Sequence, residues 1–366
     1  MQKERIDKLG TESIVPQKEV IGIDVSSKSH SVRIGYKLPG EEKVYIGAEK
    51  IFSNDEEGHE ALLAHVAQFT KQGCTNRVFV MEATGIYHEE LAYDLEKSGA
   101  FVSVVLPTMA KAYKKSENVL SKTDGIDARL LVKMGLEKVL PRWEPPSPEV
   151  YALKQLCRER DQLLDDRKVV KNQIHAMGRS AMPSKSTLER QEKHDEFIRN
   201  QVAEVEKEMA LLVSKHKPLS EAVKRAVSIP GIGSITAMIV LAETNLFKNF
   251  NNAKQVTKYA GLDIVQRESG TFKGKQRISK HGNSYLRAAL YMPALSAVRC
   301  NMPIKNLYDR ITDKSGIKMK GITAASRKLL CLMCSMEKNK KDFDSNYHQK
   351  RVEETTAKSN KLAQCV

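Results

Sequence analysis

An α/β domain followed by a mostly helical region is the fold class this sequence predicts, and three observations carry that expectation. Over the first 140 residues, three short strand patterns come in succession and are then followed by strand and helix in alternation, the order of an RNase H-like sheet. Beyond a proline-rich break, two long runs place apolar residues at heptad spacing, as a helical coiled-coil insertion would. From Ala222 to about Lys340 the chain reads as compact, basic and helical.

The elements follow in order. Val20 to Val25 is a short apolar run, Ser31 to Tyr36 alternates in and out, and Lys43 to Ile51 offers a third strand. A helix is then expected from Ser53, where Ser53 and Glu56 have the spacing of a capping box and Leu62, Leu63 and Val66 supply an apolar side. Val78 to Met81 reads as a buried strand, His88 to Ser98 as a helix, and Phe101 to Leu106 as a further strand. The pattern alone also fits other α/β folds. Pro141 to Pro148 packs four prolines into eight residues, which forbids a regular helix or a central strand and marks a domain boundary. After it, Leu156, Leu163, Val170 and Met177 repeat every seven residues, and Ile198, Val202, Val205, Met209 and Leu212 alternate four and three, with a break at Pro183-Ser184. An antiparallel hairpin within one chain and a coiled coil between protomers satisfy these seams equally. The expected divisions are therefore residues 18–140 for the α/β domain, 149–216 for the coiled-coil region and 222–340 for the basic helical domain. Residues 341–366, poor in large apolar groups, are expected to form a disordered tail.

With 366 residues and 41% hydrophobic content, the chain can build two or more cores. Its net charge of +15 is unevenly spread: residues 265–340 hold sixteen Lys or Arg against Glu268, Asp309, Asp313 and Glu337. A local basic surface of that kind suits phosphate backbones, although Lys-rich helix faces are also often merely solvated. The start, Met1 to Gln17, lacks the apolar core of a signal peptide, and the uncharged run Ile229 to Ala242 is too short to span a bilayer; a cytoplasmic, nucleoid-associated protein with no membrane partner is expected. Six scattered cysteines form neither a disulfide framework nor zinc knuckles, and Cys331 and Cys334 read as thiols on a packed helix face.

Four acids stand out. Asp24 follows Ile21-Gly22-Ile23 and Glu82 follows Val78-Phe79-Val80-Met81, so each carboxylate emerges where a buried strand ends. Asp124 and Asp127 are three apart and share one side of a helix that begins there. Taken singly, each has a plainer explanation, as a turn residue or as a helix cap and dipole partner. Their joint placement favours Mg²⁺, a hard cation that takes oxygen ligands and keeps several waters.

Gly22-Ile23-Asp24, Met81-Glu82-Ala83-Thr84-Gly85-Ile86-Tyr87 and Lys122-Thr123-Asp124-Gly125-Ile126-Asp127-Ala128-Arg129 resemble the RuvC-like D-E-D-D domain of a bacterial insertion-sequence transposase family, the one numbered one hundred and ten. Ser228-Ile229-Pro230-Gly231-Ile232-Gly233, Tyr259-Ala260-Gly261-Leu262, Glu268-Ser269-Gly270 and Ile278-Ser279-Lys280-His281-Gly282-Asn283, with Leu286-Arg287, resemble that family's C-terminal transposase domain in the same order. The likeness runs from about residue 20 to about residue 340. One departure is Asp263-Ile264, where the family often has a proline two positions after Gly261-Leu262.

The resemblance implies a site-specific DNA recombinase with a serine nucleophile, guided by a structured non-coding bridge RNA that pairs with donor and target DNA. It also implies a homo-oligomer, a dimer assembling to a tetramer, with a composite active site in which the RuvC-like domain of one protomer faces the serine domain of another. Carried over by motif, Ser269 is the nucleophile, and Asp24, Glu82, Asp124 and Asp127 are the catalytic, Mg²⁺-binding acids. On residues alone Ser269 is a turn serine; Lys273, Lys275, Arg277 and Lys280 after it, and Arg287 beyond, suit it to phosphate. Ser279 is the rival nucleophile. Gly231 and Gly233 resemble a helix-hairpin-helix turn that offers backbone N–H groups to a phosphate, and a plain turn between packed helices fits nearly as well. His30 and His281 receive no role. The alternatives are a RuvC-like nuclease or transposase in which a metal-activated water or a 3′ hydroxyl attacks, and an inactive nucleic-acid-binding protein that keeps the fold.

Overall fold

The computed structural model describes residues 18–70, 74, 76–119, 123–266, 268–274 and 276–344, and divides into two compact units, residues 1–145 and 146–366. The expected tail falls almost wholly outside the described residues, as do Lys275 and the side chain of Lys273.

The first unit contains β1 (Lys18–Val25), β2 (Ser29–Lys37), β3 (Val44–Ile46), β4 (Lys50–Ser53), α1 (Glu56–Phe69), β5 (Arg77–Glu82), α2 (Glu89–Lys97), β6 (Phe101–Val105), α3 (Pro107–Ser116) and α4 (Asp124–Glu137). The sheet order is β3-β2-β1-β5-β6, with β4 also pairing β2. β1 pairs antiparallel with β2 and parallel with β5, and β5 pairs parallel with β6. That mixed sheet is the RNase H-like arrangement. The middle of β1, Val20 to Ile23, is an unbroken apolar run because both its faces are covered. Ile21, Ile23 and Val25 join Phe79, Met81, Leu62, Leu91 and Leu95 in one core, while Val20 joins Val78, Val80, Leu131 and Met134 in another on the opposite face.

Two local expectations change. The Lys43 to Ile51 run is two strands, β3 and β4, each pairing β2 in its own register. The helix expected from Ser53 starts later: Asp55 is the N-cap, accepting from the Gly58 N–H, while Ser53 ends β4 and donates its hydroxyl to Asp55 at 2.6 Å. The Asp55 carboxylate is the stronger acceptor for a helix-start amide, so it displaces the capping box that spacing alone suggests.

The second unit comprises α5 (Pro148–Gly178), α6 (Lys185–Lys215), α7 (Lys217–Val227), α8 (Ser234–Glu243), α9 (Ala253–Tyr259), β7 (Ile264–Val265), β8 (Glu268–Ser269), β9 (Phe272–Lys273), β10 (Arg277–Ile278), α10 (Ser284–Cys300), α11 (Met302–Ser315) and α12 (Lys318–Asn339). α5 and α6 form a hairpin that buries its seams on itself, with Arg160–Glu206 and Arg167–Asp195 ion pairs as rungs at 2.6 and 2.9 Å. Its base, with Leu153, Cys157, Met209 and Val213, merges into a large helical core that includes Ile229, Leu241, Leu286 and Leu329. Burial pushes the Cys157 thiol up to about 12, so it is packing rather than chemistry. Cys331 and Cys334 are likewise raised by burial on α12. Among the described residues no helix is long and apolar enough to cross a membrane.

Candidate active site

The last registered pair between β1 and β5 is Ile23 with Met81, so Asp24 and Glu82 are the next residues on two adjacent parallel strands. Such neighbours lie ~5 Å apart between backbones. Alternation puts Asp24 on the face of Val20 and Gly22, and Glu82 on the face of Val78 and Val80. Both are the face that α4 covers, where Val20, Val78 and Val80 pack with Leu131 and Met134.

α4 reaches the sheet through a glycine. A Cβ on Gly22 would stand 2.3 Å from the Ala128 carbonyl oxygen and 2.7 Å from the Val132 nitrogen, so only glycine admits the helix backbone here. Further along, Gly135 lies against Val20. The helix therefore runs antiparallel to β1, and its first turn, with Asp124 and Asp127, projects toward the strand end that carries Asp24. Neither aspartate caps α4. That role belongs to Thr123, whose hydroxyl accepts from the Ile126 N–H, leaving both carboxylates at the positive end of the helix dipole.

Asp127 is 2.5 Å from Lys114 Nζ, an ion pair from α3 with both side chains about one-fifth exposed. Among the described residues, no three His, Cys, Asp or Glu side chains are close enough together to hold a metal ion. The donor chemistry still suits Mg²⁺: every candidate ligand is a carboxylate, and they come from two strand ends and one helix turn. An ammonium against Asp127 satisfies the same negative charge a cation would.

A fifth acid stands beside them. Glu49, between β3 and β4, accepts from the Ser31 hydroxyl at 2.6 Å and faces Arg33 at 3.6 Å. Ser31 is the cross-strand partner of Asp24. Arg33 Nε donates to the Gly125 carbonyl at 2.9 Å and Nη1 to the Gly47 carbonyl at 3.0 Å. On the sheet's other face, His30 and His59 stack beneath the strand ends, and His59 Nδ1 is 2.7 Å from Asp94 Oδ2. Burial, then the neighbouring His59, pushes His30 down to about 4.

In the second unit Ser269 is exposed on a small β finger rather than in a structureless loop. β7 pairs with β10 at its root, β8 pairs with β9 at its tip, and Ser269 faces Phe272 across a two-residue turn. Gly270 takes φ +56, the left-handed region such hairpin turns demand, with open space around it. Arg277 is exposed on β10, and Lys280 is exposed just beyond it. Ser279 sits half-buried at the root, its N–H bound to the Asp263 carbonyl at 2.8 Å. Beneath the root, the buried Glu243 binds Arg158 through both oxygens and Asn283 at 2.7 Å, while Asn283 caps α10.

Two of the expected phosphate contacts have structural work within the chain. Arg287 Nη1 donates to the carbonyls of Ala260, Gly282 and Asn283, bracing the loop behind the finger. Gly231, at φ +100, lies where a Cβ would be 2.7 Å from the Ala297 backbone, so it packs α10. Gly233 and Ser234 are exposed at the start of α8, where Gly233 is the N-cap and supplies no side-chain cap. Sequence reasoning missed Glu49, Arg33, Lys114 and Glu243, since each acquires meaning only from strand register or helix packing; no local motif announces any of them.

A family model described as "Transposase IS116/IS110/IS902 family" matches residues 223–309, and a D-E-D-D transposase model of the IS110 type matches residues 21–183. The pilin gene-inverting protein of Moraxella bovis is 28% identical over 303 residues, covering 81% of this chain and 91% of that one. The transposase for insertion sequence element IS1328 of Yersinia enterocolitica is 25% identical over 241 residues, covering 59% and 70%. Thermus thermophilus RuvC aligns to 34% of this chain and 84% of its own, with 16% identity and a TM-score of 0.23.

Proposed function

The chain belongs to the IS116/IS110/IS902 family of transposases, and from that premise we propose that it is an RNA-guided, Mg²⁺-dependent DNA recombinase that cuts and rejoins strands through Ser269. What supports the metal-dependent part is the placement of Asp24 and Glu82 at neighbouring strand ends, on the sheet face that α4 covers with its acidic first turn toward those ends. Asp24, Glu82, Asp124 and Asp127 would hold the divalent ion, which supplies charge stabilisation at the phosphorus centre and leaving oxygen.

Ser269 Oγ attacks the scissile phosphorus, loses its proton, and forms a phosphoserine ester as the bond to the departing sugar oxygen breaks; that oxygen leaves as a hydroxyl. One ester replaces another, so an incoming strand hydroxyl can reverse the step without ATP. An exposed hairpin tip suits a nucleophile that must reach a duplex backbone, and Lys273, Lys275, Arg277 and Lys280 neutralise phosphates around it. Ser279, with its backbone tied to Asp263 at the finger root, is the poorer nucleophile. Donor and target DNA are the substrates. The bridge RNA enters from the family resemblance, and the basic segment is compatible with it. A dimer assembling to a tetramer is the proposed assembly, with Val169, Phe197 and Met182 exposed on the distal hairpin as apolar surface for it.

A suicide DNA substrate nicked beside the scissile bond tests the reading. It should trap a denaturation-resistant adduct on the peptide containing Glu268-Ser269-Gly270; Ser269→Ala should lose adduct and cleavage together, and Ser279→Ala should keep both. Normal cleavage by Ser269→Ala, with free DNA ends, would mean hydrolysis by a metal-bound water instead. Asp24→Ala should abolish cleavage while retaining the fold, and full recombination by that variant would overturn the metal assignment.

A further inference from the structure

Gly125 lies between Asp124 and Asp127, and its surroundings are unusually specific. A Cβ there would stand 2.0 Å from Glu49 Oε2 and 2.5 Å from the Glu49 carboxyl carbon. The carboxylate thus lies directly against the backbone of the acidic turn. A flexible glutamate could ordinarily swing aside, but this one is held: Ser31 donates to Oε1 at 2.6 Å, and Arg33 lies 3.6 Å from Oε2. Arg33 in turn grips the Gly125 carbonyl and the Gly47 carbonyl.

Both holders stand on β2, and Ser31 is directly opposite Asp24. A continuous set of contacts therefore runs from the strand position facing Asp24, through Ser31 and Glu49, to the turn that carries Asp124 and Asp127. Arg33 closes it by binding that turn's carbonyl. The added carboxylate has a guanidinium partner in Arg33, and the glutamate and arginine are each about one-quarter to one-third exposed. We propose that Glu49, clamped by Ser31 and Arg33 against Gly125, is a positioning residue that sets the separation between Asp24 and the acidic turn of α4. It acts on the backbone that carries the ligand carboxylates, not on the ion or the DNA, in the manner of the outer partners of metal ligands. This inference rests on the four-acid metal site proposed above.

The experiment uses the full chain, with Mg²⁺ and Mn²⁺ binding followed by calorimetry and the metal concentration for half-maximal DNA cleavage followed separately. Glu49→Ala should weaken metal binding about tenfold to a hundredfold while cleavage at saturating metal stays near that of the parent, because outer-shell partners tune affinity. Glu49→Gln, which keeps the acceptor for Ser31, should recover part of the loss, and Ser31→Ala should reproduce a milder version. Gly125→Ala should be harmful in the parent chain and much less so combined with Glu49→Ala, since its new methyl then has nothing to strike. Additive effects of those two substitutions would overturn the clamp. So would unchanged metal binding in Glu49→Ala when Asp24→Ala has lost it. Cleavage abolished in Glu49→Ala even at saturating metal, as in Asp24→Ala, would make Glu49 a ligand rather than a positioning residue. Full cleavage by Asp24→Ala would instead sink the underlying metal site. Thermal unfolding of Glu49→Gln and Ser31→Ala, expected within a few degrees of the parent, separates these outcomes from misfolding.

Discussion

His30 has no place in the chemistry, yet it makes the first unit sensitive to acid. It is fully buried, stacked on His59, and pushed down to about 4 from 6.5 because burial and that neighbour disfavour its charged form. An unfolded chain binds a proton at this histidine near 6.5, whereas the folded one refuses it until about 4. The stability it contributes is therefore complete above 6.5 and falls away as the pH drops from 6.5 toward 4, by about 3 kcal/mol in all. His30→Phe should flatten this dependence, which urea unfolding midpoints at pH 7 and pH 5 would reveal; equal pH slopes in parent and variant would mean that His30 charges readily in the fold. At this scale the placement of the candidate site's residues was half legible in the sequence. Asp24 and Glu82 could be read because a carboxylate directly after a buried apolar run has to emerge at a strand end. Glu49 and Lys114 could not: one depends on the register that sets Ser31 against Asp24, the other on how α3 packs beside α4.

Among the elements, the finger of β7 to β10 was the least visible in advance, because two-residue strands leave no periodicity to detect. Its basic residues and the brace behind it should separate experimentally. Neutralising Lys273, Lys275, Arg277 and Lys280 together should weaken binding at every DNA sequence and lower the log–log salt slope by about 0.9 per lost duplex contact. Arg287→Ala should lower the melting temperature with the salt slope unchanged, since its Nη1 is engaged with three backbone carbonyls that the alanine leaves without a donor. A reduced salt slope in Arg287→Ala would return that side chain to the nucleic-acid surface. The heptad seams, by contrast, could be read at once from spacing, although only the folded chain decides that α5 and α6 pair with each other.

Over the whole molecule, the broad order of strands, long helices and basic helices follows from hydrophobic period, which reports how each segment is buried. What period cannot report is where a chain changes direction: the split of β3 from β4 is a change of register against β2, and the late start of α1 goes with the Gly58 N–H bond to Asp55. The hairpin has a further consequence. Each of its helices has 31 residues, about 46 Å of rise, and the part beyond the core projects by ~20 Å. It is in effect a ruler marked in heptads. Seven residues added to both helices between the Arg160–Glu206 and Arg167–Asp195 rungs would move the tip outward by about 10 Å, the length of ~3 base pairs, and leave both rungs matched. The same insertion in α5 alone would mismatch the outer rung and should lower the melting temperature, whereas the paired insertion should not. Whatever meets the tip then sees its distance from the body change in fixed steps, with the facing side chains turned by only ~20° at each step.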